Sequence, residues 1–224
     1  MSHKKQHVVD GLSFAVRDGA QGQWDRGIID EVVRADCYRI KRWLPQNTAT
    51  VLDVGAHIGS FSRWFALRSP TTRVYSFEPF APNFALLQEN VAGLQNVVTR
   101  NVALGNRNGT VRFCVPVENT GGGGTDWATS EGDVACIDVA DVIAEIGYVD
   151  CLKMDCEGSE FTILPRIHSL DGGLRAHVGC VRAEVHAIAG SAHHTEFMNL
   201  LKGSFPFTDE QRLTQNQSLV FAWR

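Results

Sequence analysis

Between residues 50 and 62 an apolar run, Thr50-Val51-Leu52-Asp53-Val54, passes through Gly55-Ala56-His57-Ile58-Gly59 straight into a helical pattern that begins at Ser60. A buried strand that turns on glycine and returns as a helix opens a βαβ unit, and it commits the chain to a largely parallel sheet. Gly55 permits a tight turn with a ligand close to the backbone, and Gly59 removes a side chain where the helix meets the sheet. The helix N-terminus leaves its first N–H groups free beside such a ligand. A second apolar run, Arg73-Val74-Tyr75-Ser76-Phe77, ends in Glu78, 25 residues after Asp53. A carboxylate at that point can accept both hydrogen bonds of a ribose 2′,3′-diol. A glycine turn alone is a weak sign; strand, turn, helix, strand and terminal acid in this order form a strong one.

The alternation continues along the chain. Helices are expected over 60–67 and 83–92, a third strand over 96–103, a fourth over 149–154, and a helix over 159–167. A strand over 178–185 and a helix over 195–202 follow. Two closing strands, 205–208 and 218–222, have no helix between them, so the last should run antiparallel. The fold expected is α/β and Rossmann-like: a mostly parallel seven-stranded sheet, helices on both faces, an antiparallel last strand. Residues 1–45 read as an N-terminal extension with a ragged helix over 30–44 that Pro45 stops, and 46–224 as the main domain. Two interruptions stand out. Residues 105–115 read as a hairpin turning at Asn108-Gly109. Residues 118–133, with Gly121-Gly122-Gly123-Gly124 and Trp127, read as a long loop, either a cover over a site or a flexible insertion.

Composition narrows the partners. A formal charge of −4 with no run of Lys or Arg argues against nucleic acid. No stretch reaches the ~20 apolar residues of a membrane span. The opening Met1-Ser2-His3-Lys4-Lys5-Gln6 lacks the apolar core of a signal peptide. Six cysteines scattered without a CxxC pair suit reduced thiols and a cytoplasmic location, and argue against a cysteine-ligated zinc.

Nicotinamide-dinucleotide enzymes share the strand, the turn and the acid, and form the main alternative. Their turn is usually G-x-G-x-x-G, whose middle glycine lets a pyrophosphate approach; here His57 stands between Gly55 and Gly59. S-adenosylmethionine has no pyrophosphate, and its ammonium group favours a nearby carboxylate such as Asp53. Val51-Leu52-Asp53-Val54-Gly55-Ala56-His57-Ile58-Gly59-Ser60-Phe61-Ser62 resembles the opening motif of the FkbM family of methyltransferases. So do Phe77-Glu78-Pro79 with Asn83 and Asn90, Asn101-Val102-Ala103-Leu104-Gly105, and Leu152-Lys153-Met154-Asp155-Cys156-Glu157-Gly158-Ser159-Glu160. The motifs span about 50–185 in the family's order. The family usually carries Asn where His57 stands, and often Val or Ile where Cys156 stands. The resemblance implies a class I methyltransferase fold and S-adenosylmethionine as cofactor. It implies a cofactor site lined by Asp53, Gly55 and Glu78, with Asn101 to Ala103 beside the adenine. His57 and Gly59 of the turn, and Asp155 at the end of the fourth strand, complete the expected cofactor set.

For the reaction, Asp155 ends the fourth strand, and Glu157 and Glu160 follow within a turn. Glu184 and His186, two residues apart on the fifth strand, point to one face. Parallel neighbours lie ~4.8 Å apart, so both groups should meet. Asp155, Glu157, Glu184 and His186 are therefore the expected catalytic residues. Methyl transfer from a sulfonium is an in-line displacement, and a hydroxyl acceptor must also lose a proton. His186, with an ordinary pKa of ~6.5, is one candidate base and Asp155 the other, with Glu157 or Glu184 orienting whichever acts. Against this stand plainer roles: Glu160 starting a helix in solvent, Glu184 paired with an arginine, His193-His194 in an exposed loop. Magnesium on the same acids and His186 is conceivable chemically, but without a compact metal motif no metal site is assigned. The resemblance implies O-methylation of a small hydroxylated or glycosidic acceptor. N-methylation of a small molecule or peptide, an NAD-dependent enzyme, and a non-catalytic adenosylmethionine-binding module are the alternatives. Asp155-Cys156-Glu157-Gly158 stands where many DNA amino-methylases carry Asn-Pro-Pro-Tyr, which lowers nucleic-acid N-methylation.

Overall fold

The computed structural model describes residues 4–43, 49–114 and 131–224. The chain opens with an antiparallel hairpin, β1 (Lys4–Val9) and β2 (Leu12–Arg17), turned on Asp10 and Gly11, both at positive φ. Asp-Gly is the pair that such two-residue turns favour. Helix α1 (Gly19–Ile29) follows, N-capped by the Asp18 side chain, and runs on through a π turn at Asp30–Arg34. The helix expected over 30–44 is thus displaced toward the N-terminus, and a short 3-10 turn at Ile40–Arg42 stands in its second half. Three glycines (Gly19, Gly22, Gly27) concealed α1, because glycine disfavours helix and gives no apolar mark to a pattern. Leu44 and Pro45 lie outside the described residues.

The main layer then builds up through β3 (Thr50–Val54), α2 (Ser60–Arg68), β4 (Arg73–Phe77), α3 (Ala81–Asn90) and β5 (Val97–Arg100). Three strands, β6 (Ala103–Gly105), β7 (Gly109–Cys114) and β8 (Glu131–Asp138), form a separate small sheet in the order β6-β8-β7. The remainder is α4 (Val139–Ile146), β9 (Val149–Met154), α5 (Glu160–His168), α6 (Leu174–His177), β10 (Val178–His186), α7 (Ala192–Ser204), β11 (Phe207–Arg212) and β12 (Gln217–Trp223).

The seven-stranded sheet has the order β11-β12-β10-β9-β3-β4-β5. Its strands pair in parallel except β12, which inserts antiparallel between β10 and β11. Side chains alternate between two cores. Leu52, Val54, Leu152, Met154 and Val181 pack with α4, α5 and α7 residues such as Ile143, Leu164 and Leu201. Val51, Cys151 and Cys180 face the other way, against Phe61 and Trp64 of α2 and against Phe14, Ile29, Val33 and Tyr38 of the N-terminal segment. Both faces of the central strands are buried, which is why they read as largely apolar runs. From β3 the chain moves one way to β4 and β5, and later the other way to β9 and β10. A crevice opens at the carboxyl ends of the strands where the order reverses, between β3 and β9.

The hairpin expected at Asn108-Gly109 does not form. β6 and β7 both pair with β8, one in parallel and the other antiparallel. Asn108 instead serves the start of α4: its side chain accepts from Asp138 N–H (2.9 Å) and donates to Asp141 (2.6 Å). Residues 131–133, expected in a loop, belong to β8; Gly121 to Gly124 and Trp127 lie outside the described residues. The third strand, expected over 96–103, is broken at Asn101. His194 is on α7, buried and hydrogen-bonded to Glu210 at 2.8 Å, so the exposed loop expected for it is corrected. Among the described residues no helix is long and apolar enough to cross a membrane.

Candidate functional site

The carboxyl ends of β3, β4 and β9 surround a cavity of ≈ 270 Å³. Gly55 sits at φ 74°, and a Cβ there would lie 1.8 Å from the Asp155 carbonyl oxygen. The β3 turn and the β9 turn touch backbone to backbone, tied by Asp155 N–H donating to Val54 O (3.1 Å). Gly59 has a different reason from the one expected: at φ 86° its missing Cβ makes room for Leu87 of α3, not for the sheet.

Glu78 lines the cavity and is almost wholly buried. Its Oε2 accepts from His57 N–H (2.8 Å) and its Oε1 from Phe80 N–H (2.9 Å), with Asn83 Nδ2 3.5 Å away. Burial pushes the carboxyl up to about 7, although these hydrogen bonds oppose it. Each carboxylate oxygen has a second lone pair, so a fixed pair of acceptors can still face the cavity.

His57 also lines the cavity, at φ 50°. Burial pulls its imidazole down to about 4, so it is neutral at ordinary pH. Arg17 Nη2 stands 3.3 Å from His57 Nε2, and since arginine can only donate, that nitrogen is the acceptor. Of the other expected cofactor residues, Ala103 and Asp155 line the cavity. Asn101 does not: its amide donates to the carbonyls of Glu78 (2.8 Å) and Pro79 (3.0 Å), bracing the turn from behind, while Val102, Ala103 and Leu104 face the cavity.

Asp53 lies beneath the site, not in it. It is fully buried, accepts from Ser62 Oγ (2.5 Å), and stands 3.0 Å from Lys153 Nζ. The cation expected beside Asp53 is thus supplied by the protein. Lys153 also donates to Gly55 O (2.7 Å), so this ion pair underpins the glycine turn. A charged residue within each of two adjacent apolar strands was the available signal, since buried charges need partners.

The acids and the histidine expected to meet do so. His186 Nε2 lies 3.4 Å from Glu157 and 3.5 Å from Glu184, and its Nδ1 3.3 Å from Glu160. Burial pulls this imidazole down, but hydrogen bonds to Glu160 and Glu184 and the charges of Glu160 and Asp155 outweigh it and push it up to about 11. His186 is therefore an imidazolium near neutral pH. Glu157 is pushed up to about 8 by burial and by Asp155, Glu160 and Glu184, against the pull of His186. Glu184 is raised by burial and by Asp155, and its partner is His186, not an arginine.

Glu160 is fully buried, which overturns the solvent-facing alternative. Its oxygens accept from Cys156 N–H (2.9 Å) and Gly158 N–H (2.7 Å), clamping the loop that carries Asp155 and Glu157. Ligand atoms of Asp155, Glu184 and His186 lie within 4.8 Å of one another. The imidazole nitrogens face Glu160, Glu157 and Glu184, so a metal would have to displace these ion pairs.

Sequence reasoning missed what the N-terminal segment brings. Tyr38 O–H donates to Asp155 Oδ2 (2.8 Å), and Glu31 lines the cavity with its carboxyl raised by burial and by Glu184 and Asp155. Arg17 and Asp25 form a buried fork behind His57. None of these stands in a motif, and Tyr38 and Asp155 are 117 residues apart in the chain.

The sheet order, the glycine turn after β3 and the buried acid after β4 define a class I S-adenosylmethionine-dependent methyltransferase. Within that class the chain belongs to the FkbM family, whose methyltransferase FkbM domain model matches residues 53–205. Over 43 residues the chain is 54% identical to the AMB antimetabolite synthetase AmbE of Pseudomonas aeruginosa; the stretch is 19% of this chain and 2% of the synthetase. The fold is similar to that of M. jannaschii TYW2 in complex with AdoMet: TM-score 0.56, 15% identity, 99% of this chain and 86% of that one covered. It is also similar to Aeropyrum pernix fibrillarin with natively bound S-adenosyl-L-methionine: TM-score 0.51, 12% identity, 98% and 82% covered.

Proposed function

We propose that this methyltransferase acts on a hydroxyl group of a small molecule, a sugar or a secondary metabolite. The observation that carries this reading is the make-up of the cavity. Glu31, Asp155, Glu157 and Glu184 line it, and no Lys or Arg is among its described lining residues. A hydroxyl must lose a proton to accept a methyl group, and carboxylates supply the base. With no Lys or Arg among these residues, the wall offers nothing to neutralise a phosphate-rich acceptor, which argues against nucleic acid. The stretch shared with an antimetabolite synthetase supports a secondary-metabolite acceptor.

The residues fit the cofactor. Glu78 offers the two acceptors a ribose diol needs, Val102, Ala103, Leu104 and Phe113 offer an apolar slot for adenine, and Asp155 suits an ammonium group. Bound there, S-adenosylmethionine supplies an electrophilic methyl group on a cationic sulfur. Glu157 in its carboxylate form takes the acceptor's proton, whereas His186 as an imidazolium has no lone pair to offer. Tyr38 orients Asp155, and His186 holds Glu157 and Glu184 together. The free thiols of Cys37, Cys136, Cys151, Cys156 and Cys180 fit a cytoplasmic enzyme.

Methyl transfer from labelled S-adenosylmethionine to glycosides, polyketides and hydroxylated peptides tests the acceptor class. Label on oxygen is expected, in the presence or absence of EDTA. Label on nitrogen turns the reading to an N-methyltransferase, and loss of transfer with EDTA shows a metal requirement, for which Asp155, Glu184 and His186 are the candidate ligands. Replacing Glu78 by Gln is expected to weaken S-adenosylhomocysteine binding roughly tenfold or more, the worth of a hydrogen bond to a charged group. Unchanged affinity by calorimetry removes Glu78 from the ribose site.

A further inference from the structure

Arg17 lies outside residues 53–205, the part of the chain that the family model matches, yet it reaches the cofactor turn from the N-terminal hairpin. It is 7% exposed, and its partner Asp25 is fully buried. Arg17 Nε and Nη2 donate to the two Asp25 oxygens at 3.0 and 2.5 Å, and its backbone N–H to Asp25 Oδ2 at 2.9 Å. The guanidinium is thereby held from one side as a rigid fork.

Its other contacts point toward the cavity. Nη1 donates to Asn83 Oδ1 (2.9 Å), which turns the Asn83 amide nitrogen toward Glu78 Oε1 at 3.5 Å. Nη2 meets His57 Nε2 (3.3 Å), and the His57 backbone N–H holds Glu78 Oε2 (2.8 Å). One guanidinium thus touches His57, whose N–H holds Oε2, and Asn83, whose amide reaches toward Oε1 beside the Phe80 N–H that holds that oxygen at 2.9 Å.

We infer that Arg17 is a positioning residue for the ribose of the cofactor, fixing the Glu78 carboxylate through Asn83 and His57. This rests on the proposal that Glu78 takes the ribose diol. It makes the hairpin and α1 a working part of the cofactor site. Lysine cannot replace Arg17 here, because a point charge on a flexible stem cannot join Asp25, Asn83 and His57 at once.

The test is calorimetric binding of S-adenosylhomocysteine and of its 2′-deoxy and 3′-deoxy analogues to the full chain. In the wild type, deleting one of the hydroxyls is expected to weaken binding roughly tenfold. In Arg17→Lys, S-adenosylhomocysteine itself should bind roughly tenfold more weakly, and the same deletion should then matter less than about twofold. A general loss of stability would weaken all three ligands alike and leave the hydroxyl penalty intact. Asn83→Ser, which spares the Arg17–Asp25 fork, should show the same collapse of the penalty and serves if Arg17→Lys fails to fold. A penalty equal to that of the wild type in either folded variant overturns the positioning role. No penalty in the wild type is a distinguishable failure: it overturns the ribose role of Glu78, and the inference about Arg17 with it.

Discussion

Replacing Lys153 by Met lowers the stability of this protein by about 3–5 kcal/mol, the usual loss when one partner of a buried ion pair is removed. Asp53 is then left fully buried with its neighbouring cation gone, and the Gly55 carbonyl loses its Nζ donor. Met fills similar volume, so the effect is electrostatic, not a cavity. Urea unfolding should show a lower midpoint with the same slope. The double variant Lys153→Met, Asp53→Asn should recover most of the loss, since neither partner then carries a charge. A Lys153→Met variant as stable as the wild type would show that the pair carries no such weight. Burial pulls the Lys153 amine down, but Asp53 and Asp155 outweigh it and hold it above its ordinary value. The pair's contribution is therefore present at neutral pH, and is lost as pH rises beyond the ordinary lysine range.

The second large effect is on turnover. Glu157→Gln is expected to lower kcat by about 10²–10⁴, the usual worth of a positioned base, with S-adenosylhomocysteine affinity changed little. Glu157 must be deprotonated to accept a proton, and its carboxyl is pushed up to about 8. Wild-type turnover should therefore rise with pH through about 8 and then level, while the residual rate of Glu157→Gln should be flat there. His186 lowers the Glu157 pKa, so His186→Gln should move the rise to higher pH without abolishing it. If His186→Gln flattens the profile and Glu157→Gln does not, the imidazole is the base after all. A Glu157→Gln enzyme that turns over normally removes Glu157 from the chemistry.

Much of this molecule was readable along the chain. The limits of β3, β4 and β9 agree residue for residue with the expected runs, because these mainly apolar, mainly buried strands end at Gly55, Glu78 and Asp155. The meeting of Glu184 with His186 followed from the two-residue period of a strand. The hairpin β1–β2 was not read although Asp10-Gly11 marks its turn, because Lys4-Lys5-Gln6-His7 shows no apolar alternation. α4 carries its own local marks, with Asp138 as cap and Val139, Val142 and Ile143 as its buried stripe.

The sequence by itself determined the fold class, the family and the residues that gather at the carboxyl ends of the strands. These depend on covalent geometry, strand period and turn chemistry, all of which act over a few residues. Only the tertiary structure decided that Asp53 faces Lys153 beneath the turn, that Glu160 is buried, and that the N-terminal segment supplies Arg17, Glu31 and Tyr38. It also decided which group can take a proton, since Glu160, Glu184 and Asp155 hold His186 charged. Charge state depends on burial and on neighbours brought in from distant parts of the chain, and neither is written at the residue itself.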